Sequence, residues 1–474
     1  MSFANQYPHI QLIQQLAAKR RIQVYLIGGF LRDHLIGRPC MDFDFAVEKG
    51  AIPFAKKFAD VVKGAFVLLD DKFGCARVVK KTSDGTRIFD FADYRAATFE
   101  KDLAHRDFVL NTLALDVLKL DPSADLDKAI LDKTGAKKDI AKKIIRMTSA
   151  KAFKEDPLRL LRAYSLRAQL NFKIAPATLT QIKKDKALIS DVSVERVRDE
   201  FFKILSAPET GTVLKEMDRD GLLEQIIPQL KVMYKVTQGG YHHLDVWKHS
   251  LEAVVQLDGA LQEFKTDPEV QAYLNEEFGG HKRFAVIKLA MLLHDIGKPQ
   301  TRKKEKDRFS FHGHEHVGRD ISRHVAKMLK LSTDERHMVE DMIRWHLRPG
   351  YLGDFKTPSE RAVFRYFRDT KEEAASILIL SIADQRATRG PLTSKVDEKH
   401  HVDTCRKLIQ KFFEKRNETP VVRLITGHDL IKKLKLKPSP LFAKILSEVE
   451  EKQALGKVAT KEEALGLARK IVKL

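Results

Sequence analysis

Val24-Tyr-Leu-Ile-Gly-Gly-Phe-Leu-Arg-Asp-His-Leu-Ile-Gly-Arg-Pro-Cys-Met-Asp-Phe-Asp-Phe-Ala-Val47 is the stretch that decides the fold of this chain. The apolar run Ile22 to Ile27 reads as a buried strand. Gly28-Gly29 follows at once, where two glycines let the backbone turn sharply and let a ligand approach the main chain. Phe30 to Ile36 reads as a short helix, ended by Gly37, whose first turn would aim free N–H groups at a phosphate over the glycines. Arg32 sits one turn in and adds a cation. Met41 to Val47 reads as a second strand. It carries Asp42 and Asp44, which at i and i+2 share one face.

Two neighbouring carboxylates repel unless a cation lies between them. Mg2+ suits the place, because it takes one or two carboxylates together with substrate phosphates. Alone, a Gly-Gly turn or an Asp-x-Asp pair is ordinary. Together, with Arg32 between, they point to nucleotidyl transfer by two metals.

The bulk properties agree with such a chemistry. The chain has 474 residues, a length that suggests about three domains, and its 43% hydrophobic content is enough for well-formed cores. It carries 85 basic against 65 acidic residues, a net +20 spread along its length, which favours a polyanionic partner such as nucleic acid. Cys40, Cys75 and Cys405 form no Cys-x-x-Cys pair, so neither a disulfide framework nor a structural zinc site is expected. No secretory h-region and no apolar run of membrane length is present, so a cytoplasmic protein with no membrane partner is expected.

Residues 8–20 read as an amphipathic helix and Pro53 to Val62 as another. Ala65–Leu69, Cys75–Lys80 and Thr86–Ala92 read as strands, with an Asp84-Gly85 hairpin signal before the last. Asp90, in Phe89-Asp90-Phe91, is a candidate third carboxylate or a solvated strand residue. From about residue 130 the pattern is helical to the end. Leu158, Leu161 and Leu166 mark a core face there. Asp156, Arg159 and Arg162 recur along one side, and Glu155 and Asp156 stand before Pro157 as in a first helical turn.

The Gly-Gly-x-x-Arg-Asp pattern followed by Asp-x-Asp resembles the head signature of the class II tRNA nucleotidyltransferase and bacterial poly(A) polymerase family. His105-Arg-Asp-Phe-Val-Leu-Asn-Thr-Leu-Ala114 is similar to that family's Arg-Arg-Asp-Phe motif, with His105, Val109 and Thr112 as departures. Glu155-Asp-Pro-Leu-Arg159 is similar to its Glu-Asp-x-x-Arg motif, and Val194-Glu-Arg-Val-Arg-Asp-Glu200 to the helix that closes its neck. The resemblance implies that Gly28, Gly29, Arg32, Arg106 and Arg162 hold a nucleoside triphosphate, with Asp42 and Asp44 as catalytic metal ligands. It also implies that Asp156 and Arg159 bond the edge of the incoming base in place of a template. Ser165 stands where the family often has a third arginine.

A second constellation spans 241–384: His249, the adjacent His294-Asp295, His314, His346 and Asp384. Imidazoles and carboxylates in such a set suit a metal that activates water. Their order resembles the HD phosphohydrolase domain, which implies a divalent metal of unspecified identity and phosphoester hydrolysis. The Lys-rich end, with Thr426-Gly-His-Asp-Leu430 and Lys437-Pro-Ser-Pro-Leu441, resembles the family's tRNA-facing tail.

The expected fold is therefore an α+β head with a small mixed sheet, followed by an all-α body containing an HD domain. The expected segments are a head at 1–147, a neck at 148–228, the HD domain at 229–395 and a tail at 396–474. The expected activity is addition of C, C and A to the tRNA 3′ end from CTP and ATP. Three alternatives remain: a CC-adding enzyme, a poly(A) polymerase, and, from another class, a phosphohydrolase working through the HD site. The first has a residue basis. Only six residues, none a glycine, separate Arg95 from Asp102, where the resemblance implies a mobile loop that helps the site change from C to A.

Overall fold

A computed structural model of the chain describes residues 7–83, 85–121, 125–305, 308–353, 356–418 and 422–472. The chain forms two compact units. One comprises the residues up to Ile204 with Glu216–Ile226, and the other Leu205–Lys215 with the residues from Ile227 onward.

The first unit is built on a six-stranded mixed sheet. Its strands are β1 (Val24–Ile27), β2 (Asp42–Val47), β3 (Ala65–Asp70), β4 (Cys75–Thr82), β5 (Gly85–Asp93) and β6 (Ala114–Asp116). Their order is β3-β4-β5-β2-β1-β6, and only β2 and β5 run parallel. Those two strands carry the same alternation in register: Phe43 opposite Phe89, Asp44 opposite Asp90, Phe45 opposite Phe91. Because side chains alternate across a strand, the four phenylalanines fall on one face and the two aspartates on the other. The rings stack in pairs, Phe43 on Phe89 at 5.1 Å and Phe45 on Phe91 at 4.9 Å between centroids. Phe54 and Phe58 of the helix Ala51–Val62 close over Phe91 from below.

The expected elements of the head form with small shifts at their ends. The first strand begins at Val24 rather than Ile22, and the helix after the glycines starts at Gly29, with Gly28 at φ +79° as its cap. The β4–β5 hairpin pairs down to Thr82 opposite Gly85. Asp84, half of the expected turn signal, lies outside the described residues. Glu155 and Asp156 do not enter the first turn of the following helix. Glu155 ends a short helix, Ala152–Glu155, Asp156 is extended at φ −149°, and the next helix runs Leu158–Leu170. Pro157 enforces this break, since the residue before a proline avoids the α region.

The second unit is helical as expected, with two short hairpins added, Glu277–Phe278 with His281–Lys282 and Lys303–Glu305 with Arg308–Ser310. Gly279 and Gly280, both at positive φ, make the first turn. The helices Arg283–Leu293 and Ala374–Ala387 are buried on nearly every side, so each reads as a largely apolar run, broken in the first by the buried Lys288. Near the C-terminus Gly427–Leu434, Pro440–Ala454 and Lys461–Val472 pack around Ile425, Leu430, Ile445, Val449 and Ala464. No helix among the described residues is long and apolar enough to cross a membrane.

The stacked phenylalanines should carry much of the head's stability. Phe91→Ala removes a side chain that is 1% exposed and should cost about 3–5 kcal/mol. Urea unfolding followed by a probe in the head checks this.

Candidate active site

The carboxylate face of β2 and β5 forms a wall of a cavity of about 260 Å3 in the first unit. Gly28, Gly29, Asp44, Asp90, Arg106, Asp156, Arg159 and Arg162 all line it. Gly28 comes close to the metal-binding candidate: a Cβ there would stand 3.3 Å from Asp44 Oδ2, in a backbone conformation that favours glycine. Asp42 lies two residues before Asp44 on the same strand face. It is exposed, beyond the cavity-lining residues.

Burial and the facing Asp90 raise Asp44 to about 6, against the pull of Arg106 and Arg162. A carboxylate so placed gains by meeting a cation. The chemistry of the donor set, carboxylates Asp42 and Asp44 on one strand face beside an open polar cavity, fits Mg2+. Asp90 is already engaged: Arg77 donates to both its oxygens, at 2.8 and 2.7 Å.

The expected phosphate-holding arginines divide. Arg106 reaches the cavity while paired to Asp102 at 3.2 Å. Arg162 reaches it while paired to Asp107 at 2.8 Å. Burial opposes ionisation of Asp107, but Arg162 and the Asn111 amide outweigh it and hold the acid below its usual range. Arg32 is placed differently from the expectation of a cation offered to phosphate. It is buried, it is not among the lining residues, and its guanidinium forks onto both oxygens of Asp33 at 2.9 Å. It also donates to Asn111 Oδ1 at 2.7 Å. Three hydrogen bonds to acceptors from two segments make it a brace beneath the Gly-Gly turn.

Asp156 and Arg159 both line the cavity, although Asp156 stands off the helix that carries Arg159. Arg159 donates to the main-chain carbonyls of His105 at 2.6 Å, Ala152 at 3.1 Å and Arg106 at 3.4 Å. These bonds take three of the five N–H groups of a guanidinium and leave two. Glu155, which meets the His105 ring at 3.2 Å, lies 3.6 Å from Arg159. Ser165, the departure from the family motif, donates to the buried Glu200 carboxylate. The sequence reading missed Asp102 and Asp107. Asp107 was within a quoted motif, but its use as the partner of Arg162 has no sequence signal.

In the second unit all six expected HD residues meet in one cluster, buried except for the partly exposed Asp384. Ligand atoms of His249, His294 and Asp384 lie within 4.8 Å of one another, and so do those of Asp295, His314 and His346. Asp295 spans the two groups: Oδ1 faces His314 at 3.4 Å and Oδ2 faces His294 at 3.2 Å. Three of the imidazoles are oriented alike. Nδ1–H donates to the carbonyl three residues back, His294 to Met291 at 2.8 Å, His314 to Phe311 at 2.8 Å and His346 to Ile343 at 2.7 Å. A carbonyl only accepts, so the proton sits on Nδ1 and Nε2 is left to face the centre. Nε2 of His314 and of His346 then approach to 3.2 Å, and the buried Nε2 of His294 makes no hydrogen bond among the described residues. Burial alone would lower His294, yet Asp295 and Asp384 hold it up to about 10, so a divalent cation would bind there by displacing the Nε2 proton and freeing the lone pair. Lone pairs converging on an acidic pocket fit a divalent cation. Gly297 sets the approach of the two ligand-bearing segments, since a Cβ there would lie 2.1 Å from the His314 carbonyl. Lys298, which pairs with Asp295 at 2.6 Å and donates to Gln238 at 2.7 Å, was not anticipated, nor was His242, whose ring lies 4.7 Å from that of His249.

Family models match along most of the chain: "Poly A polymerase head domain" at 24–146, "Probable RNA and SrmB-binding site of polymerase A" at 171–233, "HD domain" at 246–389 and tRNA nucleotidyltransferase domain 2 at 398–468. An A-adding tRNA nucleotidyltransferase of Deinococcus radiodurans is 29% identical over 447 residues, 93% of each chain. A CC-adding tRNA nucleotidyltransferase of Thermus thermophilus is 28% identical over 449 residues, 92% of this chain and 91% of that one. A solved CCA-adding enzyme in complex with ATP shares the fold, with a TM-score of 0.65 at 18% identity over 98% of this chain and 94% of that one. The matched models thus give the chain a poly(A) polymerase head domain, an HD domain and tRNA nucleotidyltransferase domain 2, in that order, and the relatives it is similar to over nearly its whole length are tRNA nucleotidyltransferases.

Proposed function

We propose that this protein is a template-independent tRNA nucleotidyltransferase that builds the 3′ CCA end from CTP and ATP, with release of pyrophosphate. We assign it to the cytoplasm. We assign residues 1–147 to the catalytic head, 148–228 to the neck, 229–395 to the HD domain and 396–474 to a tRNA-facing tail. One observation carries the reading: Asp44, the Gly28-Gly29 turn, Arg106, Arg162, Asp156 and Arg159 line a single cavity.

In this reading Asp42 and Asp44 hold Mg2+, which when bound lowers the pKa of the primer 3′-hydroxyl and offsets charge on the α-phosphate and pyrophosphate. Gly28 and Gly29 let the triphosphate lie against the main chain at the start of the helix Gly29–Leu35. Arg106 and Arg162 neutralise it, and Arg32 holds the turn in shape. Asp156 and Arg159 read the base. Cytosine and adenine both present an amine donor beside a ring-nitrogen acceptor, whereas uracil and guanine present the reverse. An acceptor-only Asp beside a donor-only Arg therefore admits the first pair and rejects the second.

A second reading, CC addition alone, is favoured by the connection at 96–101. Thr98 caps the helix Phe99–Ala104, and the buried Asp102 accepts from the Arg95 N–H at 2.8 Å and from Arg106 at 3.2 Å. A connection tied at both ends has little freedom to enlarge the site for adenine.

The HD cluster supports a second activity. We assign His249, His294 and Asp384 to one divalent ion and Asp295, His314 and His346 to another. Their substrate is a phosphoester such as a 2′,3′-cyclic phosphate.

Three outcomes test these assignments. Asp42→Ala should lower CMP addition by about 10³-fold or more while tRNA binding persists; near wild-type addition would remove the head as the active site. At matched nucleotide concentrations, AMP transfer onto tRNA ending in CC should run about tenfold or more slower than CMP transfer onto tRNA ending in C if the short connection restricts the site. Equal rates would show that it does not. Finally, Asp295→Ala should reduce bound transition metal, read by elemental analysis of the purified protein, and abolish cyclic-phosphate opening without changing CMP addition.

A further inference from the structure

The two residues that read the base are held very unequally. Arg159 is 5% exposed and clamped to three main-chain carbonyls, so its guanidinium is fixed before any nucleotide arrives. Asp156 sits in extended backbone between two helices, with a side chain 31% exposed. The Leu158 N–H reaches its Oδ1 at 3.3 Å. The remaining grip comes from Arg196, on the helix Val194–Leu205, whose Nη2 donates to Oδ2 at 3.0 Å and to Oδ1 at 3.2 Å.

An ion pair this exposed, 53% on the arginine side, adds little to stability. Its geometric effect is larger. An exposed aspartate otherwise turns about its side-chain bonds in pico- to nanoseconds and presents a changing set of lone pairs. One nitrogen bridging both oxygens, with the Leu158 N–H on Oδ1, fixes the carboxylate plane. Rejection of uracil and guanine depends on that state, because their oxygens at the matching position are acceptors and are repelled by a fixed carboxylate. A carboxylate free to swing aside would no longer exclude them.

We infer that Arg196 is a specificity-determining positioning residue, which holds the Asp156 carboxylate in the orientation that excludes uracil and guanine. The inference rests on the reading of Asp156 and Arg159 as the base-selecting pair, and it adds a third residue that touches no substrate.

The test uses the full-length protein and tRNA ending in C, with CTP and UTP supplied singly and in competition. It compares wild type with Arg196→Ala, Arg196→Gln and Asp156→Asn, and records kcat, KM and Tm. Arg196→Ala should raise the ratio of UMP to CMP incorporated by about tenfold, with kcat/KM rising for UTP and falling for CTP, while Tm moves by less than about 2 °C. Arg196→Gln, close in shape and uncharged, should show the same direction and carries the test if the alanine variant does not fold. A merely structural role would lower both nucleotides together and leave the ratio alone. If Asp156→Asn loses discrimination and both Arg196 variants keep the wild-type ratio, Arg196 has no part in selection and the inference fails alone. If Asp156→Asn also keeps wild-type discrimination, the base-selecting reading fails and the inference falls with it.

Discussion

The parallel pairing of β2 with β5 governs the head, because it lays two copies of one alternation side by side. Phe43, Phe45, Phe89 and Phe91 form an aromatic layer on one face of the sheet, and Asp44 and Asp90 are forced together on the other. The apolar layer supplies the burial that holds strands bearing adjacent negative charge in register. The charge has to be met on the open face. Arg77 meets it at Asp90, and a metal would meet it at Asp42 and Asp44. A one-residue slip would put phenylalanine into the cavity and aspartate into the core, so the fold and the site stand on the same register.

The HD cluster follows a related rule at higher burial. Polar groups this deep must be satisfied. Here three histidines spend one ring nitrogen on a carbonyl one turn back, and this aims the other at a common centre. Nearly all-apolar helices deliver the ligands: His294 and Asp295 follow Arg283–Leu293 directly, and Asp384 lies within Ala374–Ala387. Gly297 removes the side chain that would hold the His314 segment away.

Much of this is legible from residue order. Period-two alternation reveals β2 and β5, and a paired glycine before an apolar helix reveals the turn. A His-Asp doublet at the end of an apolar run marks the cluster. What the sequence does not reveal is which acceptor each arginine finds. Arg32 is written beside Asp33, but its other partner is Asn111, 79 residues on, and together they pull it out of the cavity. Arg159 has the spacing of a surface helix residue, yet it is buried against carbonyls of another segment. The break at Pro157 has a local signal in the proline itself, which outweighs the first-turn composition of Glu155 and Asp156. Main-chain carbonyls, invisible to side-chain motifs, decide the place of Arg159, and a distant side-chain amide oxygen decides that of Arg32.

In the proposed function, protein side chains, in the absence of any nucleic acid template, choose the nucleotide. Equilibrium titration of the full-length protein with each of the four nucleoside triphosphates, with Mg2+ and without tRNA, measures this most directly. CTP should bind about tenfold or more tightly than UTP and GTP, a gap set by acceptors facing the Asp156 carboxylate. Equal affinity for CTP, UTP and GTP would contradict it.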